Sequence, residues 1–99
     1  MTRDELIQRI REQRPALEAA GAKAVYLFGS FARGDNDDFS DVDVAIDIDR
    51  EQHEHFSVLE LVEIKHIIQA ATDRETDVLV REDLRTLKPD FEAEHIGVF

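Results

Sequence analysis

The stretch Leu27–Ile48, LFGSFARGDNDDFSDVDVAIDI, decides the fold, because it sets six aspartates among residues of strand type. Ala24 to Phe28 is a short apolar run of strand length, and Gly29-Ser30 stops it with a flexible residue and a small hydroxyl. Gly34 to Ser40 is turn chemistry. From Asp41 the residues alternate. Val42, Val44, Ile46 and Ile48 fall on one face, and Asp41, Asp43, Ala45 and Asp47 on the other. The spacing predicts a second strand with one buried face and one acidic face.

On the N-terminal side, Thr2 and Glu5 have capping-box spacing, and Leu6, Ile7 and Ile10 make a helical apolar stripe. Pro15 removes a backbone donor, so this helix kinks or restarts with Pro15 in a first turn and runs through Ala20 to Gly21. On the C-terminal side, Ser57 and Glu60 form a second capping box ahead of a wide apolar arc through Leu61, Ile64 and Ile68. Thr76 to Val80 is a β-branched third strand, with Asp77 facing away from Val78 and Val80. The helix between the second and third strands is a crossover, which lets those two strands lie parallel. A short last helix is expected between Pro89 and Phe99. The elements then follow the order α-β-β-α-β-α, an α+β sandwich of α/β type with a small mixed sheet and flanking helices.

A chain of 99 residues is expected to form a single domain, residues 1–99, with two layers of structure. Its 23 acidic against 12 basic residues give a formal net charge of -11, which argues against a nucleic acid as the main substrate. Cysteine is absent, so thiol chemistry is excluded. No apolar run approaches the roughly 20 residues of a spanning helix, and nothing resembles a signal peptide, so a cytoplasmic location with no membrane association is expected.

Carboxylates at positions i and i+2 of a strand point the same way with Cα atoms roughly 6 to 7 Å apart. Asp41 and Asp43 are such a pair and suit a hard cation such as Mg²⁺, whose sites for phosphoryl chemistry combine one or two carboxylates with substrate phosphates. Asp77, on a neighbouring strand, is placed to complete a two-metal clamp. Gly29 lets backbone approach a phosphate, Ser30 adds a hydroxyl donor, and Arg33 supplies a guanidinium suited to phosphate oxygens. The pairs Asp35 with Asp37 and Asp47 with Asp49 share the carboxylate spacing, but only Asp41 and Asp43 combine it with strand alternation and a Gly-Ser turn. The segment fails as an EF-hand loop, since counting from Asp35 its sixth position is Ser40 and its twelfth Ile46. His53 and His55 read as solvated side chains, and the aromatic residues Phe28, Phe31, Phe39 and Phe56 as core or loop anchors.

Gly29-Ser30, then ten residues containing Ala32-Arg33-Gly34 and Ser40, then Asp41-Val42-Asp43, resembles the signature of the DNA polymerase beta nucleotidyltransferase superfamily. The wording LFGSFARG and the short length resemble its minimal nucleotidyltransferases, the MNT antitoxin half of HEPN/MNT toxin-antitoxin pairs. The resemblance implies two Mg²⁺ ions on Asp41, Asp43 and Asp77, with Gly29 and Ser30 at the triphosphate of ATP. It also implies a HEPN-domain toxin as partner, modified with AMP at a tyrosine hydroxyl. Asp73-Arg74-Glu75-Thr76 departs from the family pattern, which often has a Gly and a basic residue before a Val-Asp pair. Two other functions fit the same residues: a non-catalytic antitoxin that neutralises its partner by contact, and nucleotide transfer to a small molecule.

Overall fold

Thr2 caps the first helix by accepting the Glu5 N–H at 3.2 Å, and α1 runs Arg3–Glu12 in the computed structural model. The structure describes residues 1–37, 40–83 and 95–99. Pro15 does restart the helix: α2 is Arg14–Ala19 with the proline in its first turn. Strand β1 is Ala22–Phe28, two residues longer at its start than the apolar run suggests. It passes directly into a short helix, α3, Gly29–Arg33. Strand β2 is Val42–Ile48, α4 is Val58–Thr72, β3 is Thr76–Val80 and β4 is Ile96–Gly97.

The strands form a mixed sheet in the order β3-β2-β1-β4. β1 lies antiparallel to β2 and to β4, while β2 and β3 are parallel, with α4 as the crossover. The α/β sandwich and small mixed sheet are as the alternation predicts. The element order is richer than expected, because Gly29 turns the chain into α3 and Ile96–Gly97 pairs with β1 as a fourth strand. The last helix expected from Pro89 is only in part open to comparison: residues 89–94 lie outside the described residues, and Ile96–Gly97 is strand. Strand pairing there satisfies backbone groups, and the Val98 N–H donates to the Val25 carbonyl at 2.8 Å. Arg11 Nε adds a 2.7 Å bond to the Val98 carbonyl.

The core lies between one sheet face and the helices. Leu6, Ile10 and Leu17 of α1 and α2, and Ile64 and Ile68 of α4, close over Val25, Leu27, Val42, Val44 and Ile46. The Ser57 capping box forms as its spacing predicts. The Ser57 hydroxyl accepts the Leu59 N–H at 3.2 Å, and the Glu60 carboxylate accepts the Ser57 N–H at 2.7 Å. The Ser57 hydroxyl also donates to the Glu60 carboxylate, and this bond first, then the one from the Ser57 N–H, holds the Glu60 carboxyl below its ordinary value. Among the described residues no helix is long and apolar enough to cross a membrane.

Candidate active site

The face of the sheet turned away from the three larger helices carries the candidate carboxylates. Period-two alternation puts Asp43, Ala45 and Asp47 of β2 on this face beside Tyr26 and Phe28 of β1. The face is not wholly acidic, because Ala45 is buried against Phe28, with Tyr26 and Leu79 packed on them. This apolar strip separates two carboxylate sites.

In the first, the parallel register sets Asp43 directly beside Asp77. Like charges opposed on neighbouring strands destabilise a sheet, so this pairing has a cost that a cation would remove. Asp43 is half-buried and Asp77 exposed. Asp41 stands one residue before β2, exposed at the mouth of the strand. The structure thus brings Asp43 and Asp77 together and leaves Asp41 at the edge. Among the described residues, no three His, Cys, Asp or Glu side chains draw together closely enough to hold a metal ion.

Gly29 joins the acid pair to the loop. Its φ of 72° is in the left-handed region, and a Cβ at this position would collide with Asp43 Oδ2. The carboxylate therefore occupies the space that only glycine leaves open, against the first residue of α3. Phe31 and Ala32 anchor α3 in the core, and Gly34, at φ 82°, closes it by donating its N–H to the Ser30 carbonyl at 2.9 Å. Ser30 is half-buried at the start of α3. Arg33 Nε donates to Asp35 at 3.1 Å in an exposed ion pair. Ser40 serves the loop fold: its hydroxyl accepts the Asp37 N–H at 2.8 Å and donates to the Asp37 carboxylate at 3.1 Å. Asp38 and Phe39 lie outside the described residues.

The Asp73-Arg74 departure has a structural role. Asp73 ends α4 at φ 55°, a conformation that aspartate tolerates better than most residues. Arg74 then donates to the Ser40 carbonyl at 3.2 Å and lies over the Phe31 ring at 5.3 Å. One guanidinium ties the approach of β3 to the loop before β2 and to α3.

A cleft of about 350 Å³ opens along β3, with Asp43 and Asp77 in its lining beside Thr76, Leu61, Val62 and Lys65. Lys65 was missed by sequence reasoning. Its only signal is that it is the sole cation within the apolar run of α4. The second carboxylate site is Asp47, which accepts Arg81 Nε at 2.6 Å and the Tyr26 hydroxyl at 2.9 Å. Arg81 also lies over the Tyr26 ring at 5.2 Å.

The donor chemistry fits a hard divalent cation: two carboxylates in register, all oxygen, with the start of α3 lying against Asp43 because residue 29 has no side chain. A phosphoryl-handling centre is the chemistry this arrangement can support.

The model of the nucleotidyltransferase domain matches residues 4–97. Over 76 residues, 77% of each chain, the sequence is 32% identical to the "Putative protein adenylyltransferase MJ0435" of Methanocaldococcus jannaschii. Two solved structures share the fold. A "putative minimal nucleotidyltransferase" superposes with a TM-score of 0.78 at 24% identity, covering 97% of this chain and 95% of that one. A complex of a tri-AMPylated Shewanella oneidensis HEPN toxin with an MNT antitoxin contains a chain that matches with a TM-score of 0.62 at 15% identity, covering 94% and 71%.

Proposed function

The chain belongs to the nucleotidyltransferase domain family and has the fold of its minimal members, and from that membership we propose that it transfers AMP from ATP to a hydroxyl of a HEPN-domain toxin, acting as its antitoxin. The relative from M. jannaschii, named for protein adenylyl transfer, supports a protein acceptor. The AMPylated toxin in the S. oneidensis complex supports a HEPN partner.

One observation carries the reading: Asp43 leans into the space left by Gly29, so the carboxylate pair and the start of α3 form one surface. On that surface Gly29 and Ser30 receive the triphosphate, and Arg33 exchanges its exposed contact with Asp35 for phosphate oxygens. Asp43 and Asp77, with Asp41 at the mouth, would hold Mg²⁺. When bound, Mg²⁺ supplies the positive charge that screens the approach of an oxygen nucleophile to the phosphates.

The acceptor oxygen forms a bond to the α-phosphorus, the bond from that phosphorus to the β-phosphate breaks, and pyrophosphate leaves. Asp77, the more exposed of the pair, takes the acceptor proton. The apolar strip of Phe28, Ala45 and Leu79 bounds the site on the side away from its mouth.

The test is to incubate the protein with Mg²⁺-ATP and its HEPN-domain partner and take the intact mass of both chains. A gain of one or more AMP masses on the partner, lost when EDTA is added, is expected. A stable complex without any adduct would mean neutralisation by contact.

A further inference from the structure

The first two turns of α4 hold three large aliphatic side chains in solvent: Val58 is 71%, Leu59 79% and Val62 42% exposed. Their spacing places them on one flank of the helix, opposite the buried Ile64 and Ile68. The capping box pins this turn, so the patch is presented on ordered backbone. Val62 also lines the cleft that holds Asp43 and Asp77, which makes the apolar lip continuous with the candidate reaction centre. Exposed contiguous apolar surface rimmed by polar groups marks an interaction site.

The rim selects among occupants. Asp43 and Asp77 outnumber Lys65 in the cleft that Val62 lines, and Glu63 follows Val62 in the helix, on a chain of net charge -11. That field repels an anionic membrane surface and a second copy of the same face, and attracts a basic protein surface.

We infer that the Val58–Leu59–Val62 lip is the docking surface for the protein acceptor, which covers it with an apolar patch ringed by Arg or Lys and thereby delivers its hydroxyl to the Asp43–Asp77 cleft. The inference rests on the AMP-transfer reading above for the identity of the acceptor, while the surface is argued from its own exposure and charge. Docking on α4 converts the meeting of hydroxyl and nucleotide into a positioned encounter, so it acts on the acceptor's apparent affinity and leaves nucleotide binding alone.

The double variant Val58→Glu/Leu59→Glu tests this. Acidic residues in the first turn of a helix favour its dipole, so α4 is kept. The HEPN-domain partner is titrated into wild type and variant by calorimetry, and AMP transfer is followed by intact mass at low and at saturating partner. The expected result is a partner affinity weaker by about tenfold or more, a matching rise in KM for the partner, transfer restored at saturation, and unchanged Mg²⁺-ATP affinity. Equal partner affinity in the two proteins would overturn the inference. So would sedimentation showing a wild-type self-association that the variant loses while partner binding persists, since the occupant would then be a second copy. Absence of any adduct with wild type overturns the reaction assigned above, and the affinity ratio still decides the docking surface.

Discussion

Asp43 and Asp47 lie four residues apart on the same face of the same strand, yet the cross-strand neighbours they meet differ. Asp47 is enclosed by Arg81 and the Tyr26 hydroxyl. Asp43 stands in register with a second carboxylate, Asp77, and against a glycine. The first arrangement is complete within the chain, because a guanidinium and a phenol answer the carboxylate. The second brings like charges together, which folding alone does not favour. The difference separates a carboxylate held by a guanidinium and a phenol from one set beside a second carboxylate, and in the proposed function it is the second that meets the ligand.

The comparison breaks most severely at Asp43. Asp43→Asn is expected to reduce AMP transfer by about 10²–10³-fold while the protein stays folded, as checked by intact mass of the acceptor alongside circular dichroism. Gly29→Ala comes next, since it forces a Cβ against Asp43 Oδ2 and a non-glycine residue to φ 72°. It should cost about 1–2 kcal/mol of stability and, by displacing the carboxylate, roughly 10²-fold in transfer, read from urea melts and transfer rates on the same preparation.

At the other carboxylate the expectation reverses. Arg81→Ala removes the cation from a partly buried pair and should destabilise by about 1–2 kcal/mol without loss of transfer at temperatures where the variant is folded. The smallest effect is at Ser57→Ala. Glu60 has a lowered pKa in the folded protein, so its contribution to stability is present above its unfolded value, near 4.5, and is lost as the pH falls through the folded value. Removing the hydroxyl should move the Glu60 titration, followed by NMR, up toward 4.5 and flatten the acid-side loss.

How far the sequence revealed this division depends on the residue. Strand alternation put Asp43 and Asp47 on one face, and the crossover spacing put Asp77 on a neighbouring strand, since both follow from period and length. The Gly-Ser turn revealed a close approach at Gly29, but not that the neighbour would be Asp43, because that contact depends on the antiparallel register Phe28↔Asp43. The Arg81 partner of Asp47 lies 34 positions away and carried no local signal. Lys65 was hidden for a similar reason: a cation in a helical apolar arc reads as solvated until the sheet edge is seen beside it. Strand β4 has only two residues and too little pattern to announce itself.

The most direct test sets Asp43→Asn beside Asp47→Asn and measures AMP transfer to the HEPN-domain partner by intact mass under one set of conditions. The account predicts that Asp47→Asn transfers AMP at close to the wild-type rate and that Asp43→Asn, folded and bound to the partner, does so about 10²–10³-fold more slowly. Comparable transfer by both variants, or an equal loss in both while both remain folded, would contradict it.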